Sequence, residues 1–183
     1  MAHVGQNKAT AIADLSNQLS GNEANITTYG EFNDDSPINP IVISCFDNMA
    51  GRQLAFDKWS EALASDPENA SNYLFVDGRL LAENYQVYAV MPGRLDAYKD
   101  TLFKDSEVAD AMCSLKATTH CSMGIASDMV AQLTNFATNQ ALGINVREVP
   151  FSIIKGIALF SYDLKLEVDE QPKEDTAEDQ PSI

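Results

Sequence analysis

Asp47, Asn48 and Arg52 stand directly after an apolar run in the stretch Pro40-Ile41-Val42-Ile43-Ser44-Cys45-Phe46-Asp47-Asn48-Met49-Ala50-Gly51-Arg52. The run is rich in β-branched residues and has no polar alternation. It predicts a strand buried on both faces, the usual state in a parallel sheet covered by helices. A helical pattern follows, with Ala55, Trp59, Ala62 and Leu63 on one face and an end near Asp66-Pro67. Asp47 or Asn48 is a good N-cap, so the stretch reads as strand, tight turn, helix. Ligands of open α/β sheets sit at the carboxyl ends of strands, which is where Asp47 falls. A carboxylate there can hold Mg²⁺ near a nucleotide, or it can simply cap the helix. Arg52 can fold back on Asp47, meet a phosphate, or lie on the surface. A second candidate is Cys113, in a polar segment with Lys116 three residues on. A nearby cation favours the thiolate, the reactive form of a cysteine. Cys45, within the apolar run, and Cys121, one turn into a helix, read as inert small hydrophobes.

The elements that must position these residues follow in order. Residues 5–20 repeat apolar groups at Ala9, Ile12, Ala13 and Leu19, with Leu15 alongside, predicting an amphipathic helix closed by Gly21. Ile26–Tyr29 reads as a short strand and Asn33–Pro37 as a loop. Tyr73–Asp77 is a second strand of the buried type. Tyr85–Val90 alternates more and stops at Met91-Pro92-Gly93, so it reads as antiparallel. Residues 94–118 are weakly patterned and hold one helical turn at most. A long helix runs from Thr119 to about Gln140, its expected buried face marked by Met123, Ala126, Val130, Leu133 and Ala137. Two strands, Ile153–Phe160 and Tyr162–Val168, close the chain. The fold class expected is α/β with a mixed sheet, in one domain over residues 1–168.

Composition sets limits on function. The chain has 183 residues, 45% of them hydrophobic, enough for one globular core. No run approaches a transmembrane helix and the N-terminus lacks a signal-peptide core, so a cytoplasmic protein is expected. Three cysteines without a CxxC pair read as reduced thiols, neither a disulfide framework nor a zinc site. A net charge of −15 argues against nucleic acid, whose phosphates need a concentrated basic surface. Residues 169–183 hold six acidic residues against Lys173 alone and read as a solvated tail.

In this order the pieces resemble the ThiF-type adenylyltransferases, the Rossmann-like family that activates ubiquitin-like proteins and sulfur carriers. Val4-Gly5-Gln6-Asn7-Lys8-Ala9 resembles the VGxxKA helix start, and Ile43 to Arg52 resembles the strand ending in D-N-x-x-x-R. Tyr85 to Gly93 resembles the strand that ends in a Pro-Gly turn. Cys113-Ser114-Leu115-Lys116, with the helix after it, resembles the crossover that carries a nucleophilic cysteine in thioester-forming members. Residues 153–168 resemble the closing strands. The resemblance implies a Rossmann-like three-layer fold, with a parallel N-terminal part and antiparallel C-terminal strands. It also implies that Lys8 reaches ATP phosphates, that Asp47 and Asn48 bind ATP, and that Asp47 holds Mg²⁺. Arg52 and Cys113 become the catalytic candidates, and the activity implied is adenylation of a protein C-terminal carboxylate.

The departure from the family is equally specific. The family opens on a strand, a GxGxxG turn whose backbone N–H groups bind nucleotide, a helix, and a second strand ending in an acid for the ribose. No GxGxxG occurs here, and Met1 stands only a few residues before Lys8. The fold is therefore expected to be truncated at its N-terminus, without its own adenine and ribose site. In the family's sheet the missing strands lie between those corresponding to Ile26–Tyr29 and Ile41–Phe46. Either a second polypeptide supplies them or these two strands pair directly. Two functions follow: part of an adenylyltransferase, inactive alone and completed by a partner chain carrying the GxGxxG half or by copies of itself, or a non-catalytic structural or binding subunit. A ubiquitin-like or sulfur-carrier protein is the expected acceptor, with ATP and Mg²⁺ as cofactors only in the completed assembly.

Overall fold

A computed structural model describes residues 5–21, 26–103 and 118–168. The chain falls into two compact units, Met1–Pro37 and Ile38–Ile183. In the first, α1 spans Lys8–Ser20, capped by the Asn7 side chain, which accepts a hydrogen bond from the Ala9 amide at 2.9 Å. Gly21 closes α1 in the left-handed conformation, as the sequence suggests. None of the helix is buried, and Ile12, Leu15 and Leu19 are exposed. Ile26–Tyr29 forms no strand, contrary to expectation.

The second unit is a five-stranded sheet in sequence order: β1 (Ile41–Ser44), β2 (Leu74–Leu81), β3 (Asn84–Val90), β4 (Ser152–Gly156) and β5 (Ser161–Lys165). β1 and β2 are parallel, and every later pair is antiparallel. This is a mixed α/β sheet, as read from the residues. The parallel step is made by α2 (Met49–Ser65) and a 3₁₀ helix (Pro67–Asn72). The expected strand Ile153–Phe160 is shorter, because residues 157–160 form the turn of the β4–β5 hairpin, closed by the Phe160 amide on the Ile157 carbonyl at 3.2 Å. The crossover keeps one short helix, α3 (Leu95–Lys99). Residues 104–117, with Cys113 and Lys116, lie outside the described residues, as does the acidic tail 169–183.

Two layers cover the sheet. On one face β2 presents Phe75, Asp77 and Arg79, and α2 packs Phe56 and Trp59 against them. Phe56 touches the rings of Trp59, Phe75 and Tyr98 with centroids 4.7–6.0 Å apart, an aromatic core of large buried area. Trp59 also donates its indole N–H to the Pro40 carbonyl at 2.9 Å, fixing α2 to the start of β1. On the other face α4 (Thr119–Leu142) lies over Leu74, Val76, Tyr85, Val87 and Ile153. Gly78 permits that approach, since a Cβ there would stand 2.5 Å from the Met129 sulfur.

Two expectations fail here for physical reasons. Among the described residues β1 has a strand on one side only, and it is not buried on both faces. Ile41 and Ile43 share the α4 face with Leu74 and Val76, but α4 packs on β2 and β3 and leaves them 41% and 47% exposed. The buried stripe of α4 is Cys121, Ile125, Met129, Gln132, Phe136 and Asn139; of the expected one, Met123 and Val130 are exposed, while Leu133 packs against the core. Polar Gln132 and Asn139 win the inner face by satisfying the backbone that leads into β4. Gln132 donates to the Pro150 carbonyl at 3.1 Å. Asn139 donates to the Arg147 carbonyl and accepts from the Val146 and Arg147 amides, at 2.8–3.0 Å. The partners of Asn139 offset its desolvation, whereas the Gln132 side-chain oxygen is buried without a hydrogen-bond partner among the described residues.

Phe56→Ala is expected to lower unfolding free energy by about 3–5 kcal/mol, since it empties the centre of the aromatic layer. Urea denaturation measures this, and a loss below about 1 kcal/mol would show that the layer is not the core of the unit.

Candidate functional site

The carboxyl end of β1 opens on a cleft of about 330 Å³. Asp47, Asn48, Arg52 and Arg79 give its polar side, with the amides Asn84 and Gln86 across from them. Met49, Leu80 and Phe103 give its apolar side.

Asn48 is the N-cap of α2 and sets the local geometry. Its side-chain oxygen accepts the Gly51 amide at 2.7 Å, and its NH₂ donates to an Asp47 carboxylate oxygen at 3.0 Å. One residue thus starts the helix and orients the acid beside the cleft. Gly51 has to be small there, because a Cβ would meet the Phe46 ring at 2.7 Å. Asp47 is exposed.

Beneath the cleft lies a buried charge cluster. The Asp77 carboxylate is inaccessible to solvent and paired with two guanidinium groups. Arg52 donates to one of its oxygens, and also to the carbonyls of Phe46 and of Gly78, the latter at 2.9 Å. Arg79 donates to the other oxygen at 2.7 Å, and to the carbonyl and hydroxyl of Thr101 at 2.8 and 2.9 Å. The Tyr98 hydroxyl donates to that same oxygen at 3.0 Å. Arg79 lies 4.5 Å over the Tyr88 ring, a cation–π contact. Burial opposes the charge on Arg79, but the Asp77 carboxylate outweighs it and raises the guanidinium's pKa. Burial, and then the Asp77 charge, push the Tyr98 hydroxyl well above the ordinary tyrosine range, so it stays a donor.

The sequence candidates are distributed as follows. Asp47, Asn48 and Arg52 come together at the cleft, and Arg52 turns its donors to Asp77 and two carbonyls. Lys8 opens α1 in the first unit and is exposed. Cys113 lies outside the described residues. Cys45 is corrected: it follows β1, outside the buried part of the strand, and is exposed. Partial burial, followed by the Asp77 charge, raises its pKa against the smaller opposing effect of Arg52. Asp77, Arg79 and Tyr98 were not among the candidates. The available signal was a carboxylate closing the buried run Tyr73–Asp77, with an arginine two residues on, hence on the same face.

For a cation the cleft offers one carboxylate. Among the described residues no three His, Cys, Asp or Glu side chains gather to hold a metal. Mg²⁺ is commonly held by one or two carboxylates together with substrate phosphates, so Asp47 fits a shared ion and not a resident one. No family model matches the chain, and no curated protein matches it.

Asp77→Asn leaves two buried guanidinium groups without their counter-charge and is expected to cost about 3–5 kcal/mol. Denaturant melts test this, and a loss under about 1 kcal/mol would mean that the cluster is solvated. At Cys45 the raised pKa means less thiolate at neutral pH. Iodoacetamide should therefore label it more slowly than a model-peptide thiol at pH 7, with the rate still rising above the pH at which the peptide levels off. Labelling as fast as the peptide would contradict that microenvironment.

Proposed function

We propose that this chain is part of a ThiF-like adenylyltransferase, inactive alone, which contributes the Mg²⁺–phosphate end of a nucleotide site through Asp47. A partner polypeptide supplies the nucleoside-binding half, and the completed assembly adenylates a protein C-terminal carboxylate. The observation that carries this reading is the position of Asp47. It stands in the turn between β1 and α2 of a parallel β1–α2–β2 unit, is oriented by the helix-capping Asn48, and lines a cleft. The edge position of β1 supports the need for a partner. Among the described residues β1 has a strand on one side only, and such an edge can take an added strand.

A second reading, a non-catalytic structural or binding subunit, is favoured by one observation. The donors of Arg52 and Arg79 described here are directed to Asp77, Thr101 and two carbonyls. A phosphate entering the cleft would have to compete for them.

Paramagnetic Mn²⁺ with ATP separates the two. On the first reading, Mn²⁺–ATP at millimolar concentration, about −4 kcal/mol of binding, broadens the amide signals of Asn48 to Gly51, and Asp47→Asn abolishes the effect. No broadening in the native protein would overturn it in favour of the structural subunit. Micromolar affinity, about −8 kcal/mol, would overturn the dependence on a partner.

A further inference from the structure

At the end of the sheet opposite Asp47, a cleft of about 500 Å³ lies between the 3₁₀ helix, the C-terminal half of α4 and the segment leading into β4. Gln140 of α4 ties two of its walls together by donating to the Ser71 carbonyl at 2.7 Å. Met91, Pro92, Phe136 and Val149 form an apolar side, of which Phe136 and Val149 are buried. The volume suits a small organic molecule, and an apolar wall with a few convergent polar groups is the usual composition of such a site.

Arg94 lines this cleft with a side chain only 7% exposed. It donates to the carbonyls of Ala89 at 3.3 Å, Val149 at 2.9 Å and Leu166 at 3.1 Å, tying β3 to the chain just before β4 and just after β5. These acceptors are neutral. Among the described residues the one carboxylate on Arg94 is that of Glu167, at 3.2 Å, and the Glu167 side chain is 78% exposed. Asp77, by comparison, is held by two buried guanidinium groups. A buried charge needs a lasting counter-charge, and a solvated side chain is a weak one. Arg147 also lines the cleft; it meets Asn135 at 3.4 Å and has no carboxylate partner among the described residues. Glu148 is the remaining charged group of the lining. With Glu167 in place the charges cancel. With Glu167 turned out to water, two guanidinium groups face Glu148 alone, and one positive charge is in surplus.

We propose that this cleft binds a small carboxylic acid with an apolar body, whose carboxylate replaces Glu167 on Arg94. Glu167 marks the place of the charged group, because it is a carboxylate already accepting from the Arg94 guanidinium. The apolar side formed around Phe136 and Val149 takes the body of the ligand, and Arg147 adds a second cation to the lining. A monoanion matches the surplus of one charge, whereas a phosphate dianion exceeds it and is repelled by Glu148. The inference is independent of the reading of the Asp47 cleft, which shares no lining residue with this one.

Nitrogen–proton correlation spectra of the full chain, with sodium 3-phenylpropionate as the probe, test the proposal. Saturable shifts are expected at the amides of Gln140, Val149 and Glu167, with a Kd of about 1 mM. The neutral 3-phenylpropionamide has the same shape without the charge and should bind about tenfold more weakly. This comparison needs no variant. Arg94 holds three carbonyls, so its removal would disturb the fold, and the exposed Glu167 is the position to change. Glu167→Gln takes away the competing carboxylate and should tighten binding of the acid about threefold, with the amide unaffected. Thermal melts check that the variant is folded. No saturable shift up to about 10 mM, equal binding of acid and amide, or a folded Glu167→Gln that binds the acid no more tightly would each overturn the proposal.

Discussion

The carboxylate of Asp77 is the interaction on which the rest of the main unit depends. It is fully desolvated, and a carboxylate in that state is tolerated only when opposite charge and hydrogen-bond donors surround it. Its partners come from three places. Arg52 belongs to α2, Arg79 lies two residues along β2, and Tyr98 belongs to α3. Docking α2 and α3 correctly is therefore the condition for burying Asp77, and burying Asp77 rejects other dockings. Aromatic packing around Phe56 provides apolar burial on that face but little direction. The charge cluster provides the direction.

The same cluster explains the character of the cleft above it. Two guanidinium groups against one buried carboxylate leave one positive charge in surplus, and Asp47 at the mouth balances it. The cleft is thus near neutrality, with an oriented acid on one side and carboxamides on the other. An isolated polyphosphate has little to gain from such a surface. On the function proposed above, a metal ion shared between Asp47 and a nucleotide held elsewhere would bring its own charge to the cleft.

What the sequence made legible was what local chemistry decides. The N-cap of α2, the buried run of β2, the antiparallel turn to β3 and the Gly21 stop of α1 each rest on residues within a few positions of one another. The errors share a cause of a different kind. Ile41 and Ile43 are apolar enough for a core, but exposure depends on whether a helix more than 70 residues later reaches them, and α4 does not. On α4 itself, Met123 and Val130 present as good a stripe as Ile125 and Met129. The choice is made by Gln132 and Asn139, whose value lies in bonds to the backbone of residues 146–150. Asp77 was hidden for the same reason, because its partners lie 25 residues back and 21 residues on.

Among the described residues, one helix over a five-stranded sheet leaves both flanks of that face open. α4 covers β2 and β3, so apolar side chains of β1 on one side and β5 on the other remain in water. Proteins protect sheet edges with charges, prolines, bulges or a partner. Across the edge residues, β1 carries no charge and β5 carries one of each sign, Asp163 and Lys165. A single charge of one sign on an edge repels copies of itself. β5 therefore carries charge of the kind that guards a sheet edge, whereas β1 presents only shape and backbone hydrogen bonds.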